Sequence, residues 1–390
     1  MNSSSTPVRW YGLDLIRLVC FLCIMLFHFG LFYFGDPEPP HYVDESRIIW
    51  VVIWLLRVGA QSGFIIAFLS TLLLSLNKKA GSGRWKLFGV LALGWLVLSL
   101  QMHSPWGISW DVFGLIFAGI STVMAAEAAL GTGAVRILGV LGYLMLWLPF
   151  WQLAPYLHAD YASPVQEALK NIVGVASCDM REVSEWPLLP WTGLVWFGYW
   201  MGAEIRRLRD AGQMASLCVN RQEAVAWTVI LVATVPQLGA YFHIRGGPYF
   251  SCDAYRQAPV IFWSHFVWPL FLIRCSFDPR VQARLSLQGW VRRVSDLAIS
   301  RKFWLAYLLQ YVSGTAIAYA LNYWEMVDPG SLAVWELPLL EFLCLTILFQ
   351  TELMTARADK LIRAVSKWRV QRHRGASAVP IVLPVEGGTL

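Results

Sequence analysis

The sequence predicts an all-α, polytopic integral membrane protein with about ten transmembrane helices and both termini in the cytoplasm. Of its 390 residues, 57% are hydrophobic and only 14% are charged. A soluble chain of this length needs more charged residues to cover its surface. Apolar runs of nearly the length that a bilayer-spanning helix requires also recur between charged loops. Composition and hydropathy pattern therefore predict the same fold class.

Charged and turn-forming residues mark the limits of each predicted span. The first span is not a cleaved signal peptide, because it carries Arg17 and His28 and no small-residue cleavage site follows it. The segment SRIIWVVIWLLRVG, which Arg57 interrupts, is either a half-helix or an interfacial helix, and its periodicity leaves both open. The predicted spans are 13–34, 58–77, 85–102, 110–128, 134–153, 187–205, 223–242, 257–275, 303–323 and 335–355.

Lys and Arg are concentrated in alternate loops along the chain, which lie on one side of the predicted membrane. The segments NKKAGSGRWK and RRLRD, the loop before the ninth span and the basic tail all fall on one side. The positive-inside rule assigns that side, with both termini, to the cytoplasm. Membrane topology thus accounts for the net charge of +6, and no nucleic-acid partner is expected.

Two regions stand apart from the spans and short loops. Residues 1–355 form the predicted transmembrane domain, which includes a long extracytoplasmic loop at about 154–186. Residues 356–390 form a basic cytoplasmic tail, predicted to be disordered because small residues, Pro and Gly dominate its end.

Cys178 and Cys252 both fall in predicted extracytoplasmic loops. In an oxidising periplasm these two thiols either form a disulfide or remain unpaired, because a sequence does not show whether they approach each other. No Cys or His spacing in the chain suggests a metal site.

The first span, LDLIRLVCFLCIMLFHFG, carries three ionisable residues in apolar surroundings. Eleven helical steps bring His28 to within roughly 20° of Arg17, about 16 Å farther along the axis. Asp14 lies one turn before Arg17. Ionisable residues in a membrane usually face the bundle interior or a watery cavity, so this stripe is predicted to line a path through the protein. The alternative is that Arg17 snorkels to the inner interface while His28 is a hydrogen-bonded core residue.

The same stretch resembles the first helix of membrane acyltransferases of the acyltransferase 3 superfamily. The signature of that family is an Arg, ten residues and a His in a Leu-Asp-x-x-Arg context, which Asp14, Arg17 and His28 match. The segment VGAQSGFIIAFLSTLLLSL is similar to the family's second helix, although Thr71 follows Ser70 where the family has Gly.

Two further segments, FGLIFAGISTVM and EWPLLPWTGLVWFGYWMGAEI, resemble the heparan-alpha-glucosaminide N-acetyltransferase-like bacterial branch. Phe117 stands where that branch commonly has a His. SRKFWLAYLLQY is similar to a late helix of the superfamily, with Gln310 in place of its His. The resemblance is patchy but extends from residue 9 to about 312. A role for the family histidine at the position of Phe117 is therefore absent or moved in this chain.

The resemblance implies transfer of an acyl group, most often acetyl, from cytoplasmic acyl-CoA to a hydroxyl or amine of a cell-envelope glycan or glycolipid, in a bacterial inner membrane. His28 is then expected to act as general base, or else as a transiently acylated nucleophile. Arg17 either binds the acyl donor or pairs with Asp14. His265, in the eighth span, is the second catalytic candidate; its alternative is a hydrogen bond to a neighbouring helix.

The remaining candidate residues are those expected to bind the two substrates. For the phosphates of the donor, the candidate cations of the cytoplasmic loops are Lys78, Lys79, Arg84 and Arg206, whose alternative is a purely topological role. For the acceptor, the candidates are Trp186, Trp191, Asp111 and His103. The alternatives here are an interfacial aromatic belt for the tryptophans and a helix cap for Asp111.

A transporter or flippase of a small or lipid-linked substrate is the main alternative function, since intramembrane Arg and His also build proton-coupling paths. The chain shows no inverted repeat and no matched pair of Gly- or Pro-broken helices, which disfavours it. A non-catalytic scaffold leaves the stripe of ionisable residues unexplained.

Overall fold

The computed structural model describes residues 9–34, 47–77, 83–101, 112–149, 188–244 and 259–297, together with Ile172 and scattered positions between 303 and 364. These residues are mostly helical, with short turns and irregular connections and no β-strand among them. The all-α class is therefore confirmed for the part of the chain that the structure describes.

The structure describes ten α-helices in these residues, numbered here in chain order. They are α1 (Tyr11–Phe34), α2 (Arg47–Leu76), α3 (Gly83–Gln101), α4 (Val112–Leu130), α5 (Thr132–Met145), α6 (Leu188–Asp210), α7 (Arg221–Ile244), α8 (Pro259–Ser276), α9 (Pro279–Leu287) and α10 (Gly289–Asp296). A 3₁₀ turn at Met214–Leu217 links α6 to α7. In α6 the regular helix begins at Pro190, after the extended Leu189.

The segment before the second predicted span is part of one continuous helix. α2 has 30 residues and begins at Arg47, so the half-helix and interfacial alternatives give way to a single long helix. At 1.5 Å per residue it is about 45 Å long, against about 30 Å for the hydrocarbon core of a bilayer.

Two differences from the predicted spans have local causes. α5 ends at Met145 rather than at 153, because the chain tightens into turns at Trp147 and Leu148 just before Pro149. The basic stretch before the ninth predicted span forms α9 and α10 instead of a plain loop. Asp278 caps α9, and Pro279 occupies its first turn.

α6 is the central helix, with α2 on one side and α5 on the other. Glycines allow the close approach at both contacts. A Cβ atom at Gly202 would overlap the carbonyl oxygen of Leu72 on α2, and one at Gly193 would overlap the carbonyl oxygen of Gly142 on α5. Small residues at helix crossings are the typical means by which membrane helices pack.

Apolar side chains lie on the outside of the helices as well as in the core. Two described helices, Val112–Leu130 and Pro259–Ser276, are long and apolar enough to cross a membrane by length and composition. On α7, Val229 and Val232 are 63% and 64% exposed. An outward face of this kind fits contact with lipid. A larger number of crossings stays a prediction.

Candidate functional site

One face of α1 is turned into the protein. Leu13 and Phe21 on this face are fully buried, and Ile24 is 4% exposed. Phe21 packs edge-on against Phe303 at 5.6 Å between ring centroids. Because α1 is one uninterrupted helix, position 28 lies two turns beyond Phe21 on the same face. The side chain of His28 itself is outside the described side chains.

Asp14 is shared between two arginines. Its Oδ2 lies 3.3 Å from Nε of Arg9, and its Oδ1 lies 3.8 Å from an Nη of Arg17. The first is a hydrogen-bonded ion pair and the second is only a long ion pair. Asp14 therefore binds Arg9 more closely than it binds Arg17, its neighbour one turn along the helix.

Arg9 is held by three groups. In addition to Asp14 it donates to Oδ1 of Asp296 at 2.6 Å and to the carbonyl oxygen of Ser295. Both acceptors belong to the end of α10, 286 or more residues away along the chain. Burial lowers the pKa of Arg9, but the hydrogen bonds to Asp296 and Asp14 outweigh it and raise that pKa above its ordinary value.

Arg17 is less completely satisfied than Arg9. Its side chain is 15% exposed, and its guanidinium lies 5.6 Å from the centroid of the Phe303 ring. Its Nε is buried and has no hydrogen-bond partner among the described residues. A contact with an aromatic ring and one long ion pair therefore leave the hydrogen-bonding capacity of this guanidinium partly unused among the described residues.

The start of α1 is anchored on the α9–α10 segment. The backbone N–H of Tyr11 donates to Oε1 of Gln282 at 3.0 Å, and Trp10 packs edge-on against Phe277 at 5.0 Å. Together with the contacts of Arg9, these interactions fix the first turns of the helix that carries Asp14 and Arg17.

Asp278 organises the segment that holds α1. Its carboxylate accepts hydrogen bonds from the backbone N–H groups of Arg280 and Val219 and from the guanidinium of Arg280 at 2.6 Å. Although its side chain is only 4% exposed, the hydrogen bonds from Arg280 hold the pKa of Asp278 well below its usual range. The signal was present in the sequence as an Asp-Pro pair at a helix start, but sequence analysis did not single it out.

His265 lies within α8, where its Nδ1 donates to the carbonyl oxygen of Ile261, one turn earlier, at 2.7 Å. This bond is within its own helix rather than to a neighbouring one. It fixes the orientation of the imidazole ring. The catalytic role predicted for His265 stays a prediction.

Arg206 caps the C-terminal end of α2. One of its Nη atoms donates to the carbonyl oxygen of Ser75 at 2.5 Å, and Arg209 donates to that of Leu76 at 3.4 Å. These carbonyls are among those that a helix end leaves without partners. Arg206 thus has a structural role in addition to the donor contact predicted for it. Lys78 and Lys79, and the side chain of Arg84, lie outside the described parts of the chain.

Trp191 is a core residue of α6. It is 2% exposed and packs against Phe64 at 4.3 Å and against Phe262 at 5.2 Å between ring centroids. Sugar stacking needs an open ring face, whereas this ring is buried in the structure. The acceptor role of Trp191 stays a prediction. The other acceptor candidates and both predicted disulfide cysteines lie outside the described residues: Trp186, Asp111, His103, Cys178 and Cys252.

Other polar contacts join neighbouring helices. Arg274 of α8 binds Glu223 of α7 at 2.7 Å and donates to the carbonyl oxygen of Leu217 at 2.8 Å. Tyr199 donates to Glu127 at 2.8 Å, between α6 and α4. Sequence analysis did not pair these residues, because each bond depends on the tertiary arrangement.

Within the described ranges, no group of three or more His, Cys, Asp or Glu side chains is arranged to hold a metal ion. Comparison of the chain with protein-family models, with curated proteins and with solved structures finds no match in any of the three. The resemblance to membrane acyltransferases therefore depends on the motifs quoted above.

Proposed function

We propose that this protein is a polytopic acyltransferase of a bacterial inner membrane. It transfers an acyl group, most often acetyl, from cytoplasmic acyl-CoA to a hydroxyl or amine of a cell-envelope glycan or glycolipid. The observation that carries the proposal is the state of Arg17, a mostly buried cation on an apolar helix with an incompletely satisfied guanidinium. The resemblance to membrane acyltransferases indicates the chemistry of the group that Arg17 binds.

A cation in this position needs an anionic or strongly polar partner, because burial of a charge without one is costly. Asp14 satisfies Arg17 only in part, since the other oxygen of the Asp14 carboxylate is held by Arg9 at hydrogen-bond distance. A phosphate or carbonyl oxygen of the acyl donor supplies the rest. Arg17 binds such a group through the planar fork of its guanidinium.

His28 is the general base of the proposed reaction. The acceptor oxygen or nitrogen attacks the thioester carbonyl carbon, its proton moves to His28, and the C–S bond breaks to release CoA as a thiolate. Arg17 and His28 are about 16 Å apart along the axis of α1, so the two side chains act on different parts of the donor. An imidazole with an ordinary pKa of about 6.5 suits this role at neutral pH.

The membrane location is supported by the surface of the described helices. The apolar residues exposed on α5 and α7 form faces that water solvates poorly; they include Ile137, Leu144, Val225, Val229 and Val232. The glycine-mediated crossings of α6 with α2 and α5 are also typical of helices that pack in membranes.

Incubation of the purified full-length chain with radiolabelled acetyl-CoA and a cell-envelope glycan fraction tests the proposal. We expect label on the glycan. Label retained on the protein would favour the acylated His28 over the general base. If acyl-CoA neither binds nor loses its acetyl group, the acyltransferase proposal fails and a transporter becomes the better account.

A further inference from the structure

The two short helices after α8 expose apolar and basic side chains side by side. Leu287 at the end of α9 is 78% exposed and Trp290 at the start of α10 is 58% exposed. Arg284 and Arg293, one turn from these residues, are also exposed. We call these four residues the α9–α10 surface.

The outward direction of this surface follows from helix geometry. On α9 the exposed residues Arg280, Arg284 and Leu287 recur at helical spacing. On α10, Val291 and Ser295 are fully buried, and Arg293 projects from the opposite side of the helix.

The charge of the surface is positive. Arg284 and Arg293 take part in no ion pair within the part of the chain that is described, whereas the nearby carboxylates are already bound. Asp296 binds Arg9, and Asp278 binds Arg280. The free positive charge therefore lies beside the exposed leucine and tryptophan.

We propose that the α9–α10 surface lies in the headgroup region of the cytoplasmic leaflet and binds anionic phospholipid headgroups. Arg284 and Arg293 contact the lipid phosphates, while Leu287 and Trp290 enter the boundary between headgroups and acyl chains. Basic amphipathic helices with Trp and Leu bind membranes in this way, and Trp is enriched at this depth. Charge complementarity selects an anionic lipid rather than a zwitterionic one. The inference depends on the membrane insertion in the proposed function.

Spin labels test the depth of the surface. A variant without its seven native cysteines receives a label at Trp290→Cys or, as a bilayer reference, at Val232→Cys on α7. Each protein is reconstituted into phosphatidylcholine alone or mixed with phosphatidylglycerol, and accessibility to oxygen and to a water-soluble nickel complex is measured. We expect headgroup depth at position 290 in the mixed bilayer and hydrocarbon depth at position 232.

Full water accessibility at position 290 in both bilayers, with position 232 in the hydrocarbon, would overturn this inference and leave the membrane enzyme intact. Water accessibility at both positions would overturn membrane insertion itself. The two failures are therefore distinguishable.

Charge variants test lipid selectivity. Detergent-solubilised protein is titrated with phosphatidylglycerol, and the melting temperature gives an apparent affinity. We expect Arg284→Gln with Arg293→Gln to lower that affinity on the order of tenfold. The control, Arg136→Gln with Arg221→Gln, removes the same charge from other helices and should keep wild-type affinity. Because Arg136 pairs with Glu204 at 2.7 Å, the melting temperature of each variant is compared with its own value without lipid. Equal loss in both variants, or equal protection by inorganic phosphate, would contradict binding at this surface.

Discussion

Arg9 and Arg17 share one carboxylate, and the two arginines are satisfied to different degrees. Arg9 binds Asp14, Asp296 and a backbone carbonyl, so it ties α1 to α10. Arg17 has one long ion pair and an aromatic ring. The difference gives Arg9 a structural role and is compatible with the donor contact proposed for Arg17.

The first prediction concerns the affinity of Arg17 for the acyl donor. Arg17→Ala should weaken acyl-CoA binding by roughly 1.5 to 3 kcal/mol, because a charge-assisted contact is lost. Arg17→Lys should restore only part of it, since the planar fork is gone. Calorimetric titration with acyl-CoA measures both effects. Arg9→Ala is the control; it should lower the melting temperature more than the donor affinity. An Arg17→Ala protein with wild-type affinity would contradict donor binding at this residue.

The second prediction concerns the cap of α9. Asp278→Ala should lower the free energy of unfolding by about 0.5 to 2 kcal/mol, because the N-cap of α9 is lost. Asp278→Asn keeps a capping side chain and removes only the charge, so it should cost less. Melting temperature in detergent micelles measures the order wild type, Asn, Ala.

The pH dependence of this cap has a definite sign. The folded-state pKa of Asp278 is depressed, so the stabilisation by its charge is complete above about pH 4, the ordinary value of a free Asp, and is lost as the pH falls toward the depressed pKa. The difference in melting temperature between wild type and Asp278→Asn should therefore shrink below about pH 4. A difference that grows with acidity would show that the charge of Asp278 is not stabilising.

At the scale of elements, hydropathy located the helices well where charged residues limit an apolar run. The third predicted span, 85–102, corresponds to α3 at Gly83–Gln101. Hydropathy failed where a proline or a helix-capping residue determines the end or the start of a helix. Pro149 shortens α5, and the Asp-Pro pair at 278 starts a helix within a basic loop. Both signals are present in the sequence, but the limits of the predicted spans were drawn from average hydropathy, which does not take them into account.

The third prediction concerns the crossing of α6 and α2. Gly202→Ala should destabilise the protein by about 1 to 3 kcal/mol, because its Cβ would overlap the carbonyl oxygen of Leu72. Gly89→Ala on α3 is the matched control. Among the described residues nothing lies within 4 Å of a Cβ there, and alanine is the better helix former. Melting temperatures of the two variants should move in opposite directions. Equal melting temperatures would show that this close approach does not limit the packing of α6.

For the whole molecule, the sequence predicted the register of Arg17 and His28 on one helix face, because that register depends on local geometry alone. It did not predict that Asp14 would be held by Arg9, since the position of Arg9 depends on Asp296, 287 residues later in the chain. The candidate site was therefore predictable as a stripe on α1 and not as an arrangement of partners.

The fourth prediction concerns membrane topology. Single cysteines at Ser82 and Ser163, placed in a variant without reactive native cysteines, should react from opposite sides of the membrane. The first is predicted to be cytoplasmic and the second extracytoplasmic. Membrane-impermeant maleimide applied to intact cells and to inverted vesicles distinguishes the sides. Labelling of both positions from one side would contradict the ten-span arrangement.

The measurement that tests the central claim most directly is the turnover of His28→Ala. If His28 takes the proton of the acceptor, this variant should lose on the order of 10²-fold or more in acetyl transfer from labelled acetyl-CoA. Its acyl-CoA affinity should stay within about a few-fold of wild type, because a general base acts mainly in the transition state. Full transfer activity in His28→Ala would contradict the catalytic role of the α1 stripe and would make His265 the residue to test.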